Sequence, residues 1–133
     1  KPEGSCTYHT EFSTDKNVLV EIHNSIADEN QSIGSNILTK IWDTSIQLDG
    51  CARKMRDDYY YFHHIFHMLT HFESGGIGLR FFIDLYLLNK MQITDSEKKA
   101  RKERIRVEGL EKFESGAIAL AKYLFEGDIE RKP

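Results

Sequence analysis

The sequence predicts an α+β protein, in which an N-terminal β-hairpin precedes a mostly helical bundle of about five helices. Two observations predict this fold class. Residues 17–23, Asn-Val-Leu-Val-Glu-Ile-His, are rich in β-branched side chains and alternate with the two-residue period of a strand. From residue 36 onwards, amphipathic segments are separated by glycines and by helix-capping Thr and Asp residues. We therefore assign residues 1–27 to sheet strands and residues 36–127 to the helical part.

The predicted hairpin carries an acid and a base on one face of its second strand. Its strands are residues 6–12 and 17–23, and the turn formers Ser, Asp and Asn lie between them. Because successive side chains of a strand point to opposite faces, Glu21 and His23 share a face. The other face is apolar and is expected to face a core; it consists of Val18, Val20 and Ile22. A two-stranded hairpin is marginally stable alone, so we expect it to pack on the helices or to pair with further strands.

Five helical segments and two loops account for the rest of the chain. The predicted helical segments are 37–48, 57–73, 77–91, 96–108 and 110–127, and the predicted loops are 27–36 and 49–56. Asp57 and Asp58 begin the second helical segment, because acidic side chains are favoured at a helix N-terminus. Thr94 or Asp95 is the expected cap of the fourth. The segment 77–91 is apolar on almost every side, so we expect it to be central and covered.

The composition is that of an ordinary folded domain. The 18 basic and 21 acidic side chains give a net charge of −3, which does not indicate a nucleic-acid or membrane surface. Cys6 and Cys51 lack a redox or metal-binding spacing, and no apolar run approaches the ~20 residues of a membrane helix. We therefore expect free thiols in a cytoplasmic protein. The mixed charges of residues 98–106 indicate a solvated helix face rather than a nucleic-acid contact.

The start of the chain suggests a part of a longer protein. Its first residue is Lys1, and its first strands look like the middle of a sheet. We expect residues 1–133 to be a single domain at the C-terminal end of that protein. An open sheet edge would expose backbone donors and acceptors, so a homodimer is a further expectation.

A stripe of histidines lies on the helix predicted at 57–73. His64, His67 and His71 fall within roughly 60° of one another at 100° per residue. The apolar stripe of the same helix lies roughly 145° away. It consists of Phe62, Ile65, Phe66, Leu69 and Phe72. The histidines are therefore expected to hydrogen-bond, to face a ligand or to be exposed, whereas His67 and His71 at i, i+4 could also hold two corners of a zinc site.

A glycine-rich turn and a charged pair follow the histidine stripe. Residues 73–80, Glu-Ser-Gly-Gly-Ile-Gly-Leu-Arg, match neither a P-loop nor a dinucleotide fingerprint, so a tight turn with positive φ at glycine is the simpler interpretation. The alternative interpretation is that the N-terminus of the next helix binds an anion. Arg80 and Asp84, also at i, i+4, either form a structural ion pair or leave Arg80 to reach a phosphate.

The ordered set of these motifs resembles the family of uncharacterised bacterial nucleotidyltransferases. The set comprises a strand with the pattern apolar-Glu-apolar-His, a Trp-containing segment, a helix with His-x-x-x-His-Phe, the turn Gly-Gly-x-Gly-x-Arg, and an Asp four residues after that Arg. The resemblance spans nearly the whole chain, and residues 67–84 are its most specific part. The hairpin would then be the tail of a nucleotidyltransferase sheet.

The resemblance implies a reaction and roles for several residues. Members are similar to DNA-polymerase-β-like nucleotidyltransferases, in which carboxylate-bound Mg²⁺ ions bring a nucleoside triphosphate to an acceptor. An Asp-x-Asp pair after a Gly-Ser turn supplies two ligands there, and a later strand supplies a third carboxylate. Glu21 matches this third carboxylate, which implies that it binds Mg²⁺ and helps to deprotonate the acceptor. The residues expected to face the nucleotide or acceptor are His23, His67, His71, Arg80 and Asp84.

One part of the expected pattern is missing. No Gly-Ser turn followed by Asp-x-Asp occurs in the sequence. We expect that the half of the fold with this pair lies outside the chain, which alone would then be inactive, and a degenerate family member is the alternative. The rival hypothesis from another class is a non-catalytic helical protein-interaction module, in which Glu21 is an ordinary surface residue.

Overall fold

The computed structural model describes residues 2–5, 9–23, 25–26, 35–38 and 41–127. The chain divides into two compact units, Lys1–Lys54 and Met55–Pro133, which we call the strand unit and the helical unit. The strand unit contains β1 (Pro2–Ser5), β2 (His9–Ser13), β3 (Leu19–His23), α1 (Ser35–Leu38), α2 (Ile41–Thr44), β4 (Ile46–Gln47) and β5 (Arg53–Lys54). The helical unit contains α3 (Asp57–Glu73), α4 (Leu79–Lys90), α5 (Asp95–Val107) and α6 (Glu111–Glu126). The predicted α+β class is confirmed.

The strand unit contains the predicted hairpin. β2 and β3 pair antiparallel, with Ser13 opposite Leu19. The turn is closed by two backbone hydrogen bonds of 3.0 Å, from Thr14 N–H to Val18 O and from Asn17 N–H to Thr14 O. β1 lies ahead of the predicted strands and pairs antiparallel with β2, so the sheet has the order β1-β2-β3. Residues 6–8 of the predicted first strand and residues 27–34 of the predicted loop lie outside the described residues.

The expected burial of one face of β3 is wrong. All five residues from Leu19 to His23 are exposed, and the neighbouring Val18 is 54% exposed. The apolar alternation correctly identifies which side chains share a face, but burial of that face needs a second layer packed against it. The described part of the strand unit leaves both faces of β3 open.

The predicted helical segment 37–48 is shorter than expected. Its described residues include the end of α1 and the single turn α2, and β4 then pairs antiparallel with β5 across residues 48–52. The pair Asp49-Gly50 accounts for this small hairpin, because Gly50 has φ +56°, which glycine adopts readily. The predicted connection at 49–56 therefore contains a strand as well as a turn.

The four helices of the helical unit agree closely with their predicted ranges. α3 packs against α4, α5 and α6, and α6 also packs against α4 and α5. The buried apolar side chains of the helical unit are Tyr61, Phe62, Ile65, Phe66, Met68, Phe82, Leu85, Leu88, Ile105, Leu110, Ala117 and Ala121. Thus α3 supplies the largest share of the core. Phe62, Ile65 and Phe66 of the predicted apolar stripe are buried, whereas Phe72, in the last turn of α3, is 61% exposed, so the stripe is only partly correct.

The start of α5 confirms the predicted cap. Thr94 Oγ1 accepts a hydrogen bond of 3.2 Å from the Glu97 N–H, and Glu97 Oε2 accepts one of 2.8 Å from the Thr94 N–H. This capping box satisfies two donors that a helix N-terminus otherwise leaves unpaired. The backbone and side-chain hydrogen bonds from Thr94 hold the pKa of Glu97 below its usual value.

The expected covered position of α4 is only partly correct. Phe82, Leu85 and Leu88 are buried, but Ile83 and Leu87 are 41% and 56% exposed. An apolar sequence shows that a helix can be covered on every side, whereas the number of packed neighbours decides whether it is. Within the helical unit, α4 has α3 and α6 beside it, and these leave one apolar face open.

A buried ion pair joins α3 to α5. The Arg101 guanidinium donates from Nε and Nη2 to the two carboxylate oxygens of Asp57, both at 2.6 Å, and from Nη1 to the Leu88 carbonyl at 3.1 Å. It also lies over the Tyr61 ring, 4.6 Å from its centre. Arg101 is 6% exposed, so this charge is almost fully removed from water. One guanidinium thus links α3, α4 and α5.

A second acid–base pair repeats the contact one residue further along α3. Asp58 is 5% exposed and accepts a hydrogen bond of 2.8 Å from Arg104 Nη2. The Arg104 guanidinium lies 4.0 Å from the centre of the Tyr59 ring, and Arg56 lies 3.3 Å from the other Asp58 oxygen. The interpretation of residues 98–106 as a wholly solvated face is therefore wrong for Arg101 and Arg104, because their charges are neutralised by carboxylates of another helix.

Among the described residues, no helix is long and apolar enough to cross a membrane.

We expect Asp57→Asn to lower the free energy of unfolding by about 3 kcal/mol, because Arg101 would remain buried without its counter-ion. Urea unfolding followed by circular dichroism measures this loss. The control is Glu103→Gln, which breaks an exposed pair with Arg106 on the same helix as Arg101 and should leave the unfolding midpoint nearly unchanged. Equal effects of the two substitutions would contradict a stabilising role of the buried pair.

Candidate functional site

Glu21 and His23 lie side by side on β3, as their spacing predicts. Glu21 Oε2 is 3.4 Å from His23 Nε2, and the two side chains are 46% and 45% exposed. Strand alternation places both on one face, and the open face leaves the carboxylate accessible to a cation or a ligand. The pair therefore places a carboxylate, whose oxygens are donors of the kind that hard cations prefer, beside an imidazole.

The hairpin register adds a second carboxylate that the sequence analysis did not identify. Glu11 on β2 is directly opposite Glu21 on β3. Directly opposed side chains of an antiparallel pair lie on the same face, about 5 Å apart at Cβ, and like charges there repel each other. Counting residues outward from the predicted turn would have revealed this pairing.

The histidine stripe of α3 lies against Phe81 at the start of α4. The His67 ring packs edge-on against Phe81 with 5.2 Å between ring centres, and His71 lies 4.9 Å from the same ring. His64 is half-buried, and its Nε2–H donates a hydrogen bond of 3.0 Å to the Phe81 carbonyl. Thus Phe81, which the sequence analysis did not single out, holds three histidines in one cluster. No pattern in the sequence identifies it among the eight phenylalanines.

Burial lowers the pKa of His64 below its usual value of 6.5. Desolvation disfavours the imidazolium, and the hydrogen bond to the Phe81 carbonyl and the charge of Asp84 only partly oppose this effect. His64 is therefore neutral at physiological pH and serves to attach α3 to α4. By contrast, His67 and His71 are exposed, as predicted for a stripe on the side away from the core.

His67 and His71 face each other through their Nε2 atoms, which are 2.9 Å apart. Their spacing predicts this proximity, because residues at i, i+4 are neighbours on a helix surface. Among the described side chains, no group of three or more His, Cys, Asp and Glu residues could hold a metal ion. The third protein ligand that a structural zinc site requires is thus not provided by these residues.

The glycine turn between α3 and α4 has the backbone conformation that the sequence predicts. Gly75 and Gly76 have φ of +131° and +138°, values that side-chain-bearing residues rarely adopt. The Gly76 N–H donates a hydrogen bond of 3.0 Å to the His71 carbonyl, which ends α3. The turn therefore places the start of α4 beside the histidine stripe.

Arg80 and Asp84 form a loose pair on the surface of α4. Arg80 Nε is 4.0 Å from Asp84 Oδ2, and the Arg80 side chain is 91% exposed. An exposed pair at this distance contributes little to stability, so the structural interpretation of the two residues is the weaker one. The Arg80 guanidinium remains accessible to a phosphate or a carboxylate.

A cleft of about 290 Å³ lies elsewhere on the helical unit. Its polar lining includes Tyr61, Asn89, Arg101 and Glu114. Tyr61 donates a hydrogen bond of 2.7 Å to Glu114, and burial together with this carboxylate raises the pKa of Tyr61. The polar groups of Tyr61 and Arg101 are thus used in contacts that join helices, so we assign them a structural role.

The structure brings the predicted site residues together in two separate groups. Glu21 and His23 are adjacent in the strand unit. His67 and His71 are adjacent in the helical unit, and Arg80 and Asp84 form a pair there on either side of Phe81 along α4. The two groups belong to different compact units.

The structure defines an α+β protein, and comparison with known families gives the family to which it belongs. The model of the uncharacterised nucleotidyltransferase family matches residues 1–126, so the chain belongs to that family. No curated protein and no solved structure matches the chain. The family implies a nucleoside triphosphate as substrate.

The lowered pKa of His64 predicts a specific pH dependence of stability. The unfolded chain binds a proton at this residue near pH 6.5, whereas the folded chain binds it only at lower pH, so the contribution of His64 to stability is full above pH 6.5 and decreases below it. We expect the stability difference between wild type and His64→Gln to shrink between pH 7.5 and pH 5.5 in urea unfolding. A difference that grows at acidic pH would contradict the assignment of a neutral His64.

Proposed function

We propose that this chain is the C-terminal portion of a nucleotidyltransferase that transfers a nucleotide from a nucleoside triphosphate to an acceptor. The observation that carries this proposal is membership of the nucleotidyltransferase family over residues 1–126. The similarity of the strand motif around Glu21 to the polymerase-β-like superfamily supports the same reaction class. In that class the protein contributes positioning and charge neutralisation, because phosphoryl and nucleotidyl transfer need little covalent chemistry from side chains.

Glu21 is proposed as the third metal-binding carboxylate of this enzyme. Its side chain is accessible on β3, and Glu11 is directly opposite it. Mg²⁺ usually takes one or two protein carboxylates and fills its other positions with water and substrate phosphates, so this donor set fits the ion. When bound, Mg²⁺ supplies a positive charge that stabilises the negative charge of the reacting phosphate. Glu21 would also accept the proton of the acceptor hydroxyl, with His23 beside it.

The two remaining carboxylates of the metal centre are proposed to come from outside this chain. The sequence contains no Asp-x-Asp after a Gly-Ser turn. A two-metal centre needs several carboxylates to neutralise the ions, and Glu21 with Glu11 cannot supply the complete set. We therefore propose that another segment of the natural gene product carries the pair and that this chain alone is inactive.

The accessible groups of the helical unit are proposed to recognise the nucleotide or the acceptor. Arg80 is the group best suited to a phosphate, because its guanidinium is 91% exposed and its ion pair is loose. His67, His71 and Asp84, on α3 and α4, are proposed to offer hydrogen-bonding groups to the nucleotide or the acceptor. Their roles would be in binding and positioning rather than in proton transfer to the reacting atoms.

We expect Glu21→Gln to reduce nucleotidyl transfer by the natural gene product by about 100-fold or more, because the amide can neither bind Mg²⁺ as a charged ligand nor accept a proton. The assay follows α-labelled nucleoside triphosphates and pyrophosphate release in the presence of Mg²⁺ and a heat-treated cell extract as the source of acceptor. Asp15→Asn, in the exposed turn of the same hairpin, is the control and should retain activity.

Two results of this assay would count against the proposal. Absence of any nucleotide-dependent product from the natural gene product, with each common nucleoside triphosphate, would reject nucleotidyl transfer. Product formation that Glu21→Gln and Asp15→Asn leave equally unchanged would reject the role of Glu21 and retain the reaction class.

The open apolar face of α4 favours a second candidate function, a non-catalytic interaction module. Leu79, Ile83 and Leu87 recur every four residues along α4 and are 41–57% exposed. On the neighbouring α6, Leu120 and Leu124 are 43% and 44% exposed. Exposed apolar surface of this kind is typical of protein–protein contacts. The partner consistent with the expected homodimer is a second copy of the chain.

If α4 forms such a contact, Leu87→Glu should convert a dimer into a monomer, because a charge would be buried at the interface. Sedimentation equilibrium of the chain measures the association state. Gln92→Glu, which adds the same charge at an exposed position after α4, should leave the dimer intact. A wild-type chain that remains monomeric at all accessible concentrations would reject this candidate.

A further inference from the structure

The His67–His71 pair has a geometry suited to chelation of a metal ion. We propose that the two Nε2 atoms bind one divalent transition-metal ion of the Cu²⁺ or Ni²⁺ type, at adjacent positions of a square-planar or octahedral coordination sphere. This site uses nitrogen donors of α3, whereas the proposed Mg²⁺ ligand is the carboxylate of Glu21 on β3. Imidazole nitrogen suits these borderline metals, whereas Mg²⁺ prefers oxygen.

The separation of the two nitrogens matches that of neighbouring ligands at a right angle. With metal–nitrogen bonds of about 2.05 Å, an Nε2–Nε2 distance of 2.9 Å corresponds to an angle of about 90° at the metal. Tetrahedral zinc would need about 3.3 Å between the same atoms. A right angle is the arrangement of neighbouring ligands in square-planar and octahedral complexes, which Cu²⁺ and Ni²⁺ adopt.

The orientation of the two rings supports chelation over a simple hydrogen bond. Two imidazoles that point at one metal at a right angle have ring centres about 4.5 Å apart, whereas two that face each other along a straight hydrogen bond of 2.9 Å have centres about 5.2 Å apart. The His67 and His71 ring centres are 4.6 Å apart. The two Nε2 atoms therefore point toward a common position beside the line that joins them, where a metal ion would lie.

The surroundings of the pair favour a fixed site with open coordination positions. Both histidines lie on the same 17-residue helix, and both rings pack against Phe81, which restricts their rotation. Both are also exposed, so the ion has direct access from solvent. Because the described residues offer no third ligand, water or an oxygen of a bound molecule would complete the coordination sphere.

A neighbouring histidine provides a strict internal comparison. His63 and His67 have the same i, i+4 spacing as His67 and His71, but their ring centres are 5.6 Å apart. This distance exceeds the value for two rings that converge on one metal at a right angle. Sequence spacing alone would make the two pairs equivalent, whereas the structure selects His67 and His71.

Titration of the untagged chain with NiCl₂ in an isothermal calorimeter tests the proposal. We expect one Ni²⁺ per chain, an affinity reduced more than tenfold in His67→Asn and in His71→Asn, and an affinity within twofold of wild type in His63→Asn. Electron paramagnetic resonance of the chain with one equivalent of Cu²⁺ should show coupling to two equivalent nitrogen ligands, and to one in His71→Asn. Circular dichroism confirms that each variant keeps its helical content.

The results that would overturn the proposal are specific. Absence of saturable Ni²⁺ binding by the folded wild type would remove the site. Equal losses in His63→Asn and His71→Asn would show that the histidines bind without the selective geometry inferred here. Neither result tests the role proposed for Glu21, which is unchanged in all three variants, whereas His67 and His71 are also the residues proposed to face the nucleotide or acceptor.

Discussion

The contact between Asp57 and Arg101 is the constraint on which the helical unit depends. Two opposite charges are held in a place with little access to water, and such a pair is tolerated only when almost every donor finds an acceptor. Arg101 meets this condition because its three nitrogens reach both Asp57 oxygens and the Leu88 carbonyl. A shift of α5 along α3 would leave one of these charges buried without a partner. The arginine therefore determines the relative position of α3, α4 and α5.

This fixed position decides what α3 can present to solvent. One side of the helix supplies Phe62, Ile65 and Met68 to the core, and the other side carries the histidines. Because α4 returns through a turn with positive φ at two glycines, Phe81 lies against the histidine side. The resulting cluster has one half-buried neutral histidine, His64, and two accessible ones. The core and the cluster are thus consequences of the same helix placement.

The accessible chemistry of the protein differs between its two units. The strand unit offers carboxylates on an open sheet face, which suit a hard cation and an acid–base step. The helical unit offers imidazoles and the exposed guanidinium of Arg80, which suit a softer metal ion and a phosphate. In the reaction that we propose, carboxylates would hold the metal ions and cationic donors would contact the phosphate oxygens.

The sequence by itself determined the local features of this protein. The hairpin, the ends of α3 to α6, the cap at Thr94 and the side of α3 that bears His67 all follow from residue periodicity and backbone preferences, which act over a few residues. Spacing likewise placed Glu21 beside His23. These predictions succeeded because each depends on one strand, one turn or one helix.

Only the tertiary structure decided the features that depend on contacts between distant segments. Asp57 and Arg101 are 44 positions apart, so nothing in the charged pattern of α5 distinguished the buried Arg101 from the solvated lysines of the same helix. The exposure of β3 and of one face of α4 could not be predicted from the sequence for a related reason. Apolar side chains show that a surface can be buried, whereas the neighbouring elements packed against it decide whether that surface is buried. The preference for His67 with His71 over His63 with His67 as the proposed metal-binding pair also depends on the tertiary structure. The two pairs have identical sequence spacing, which does not determine how the rings are oriented. Packing against Phe81 orients the rings of His67 and His71.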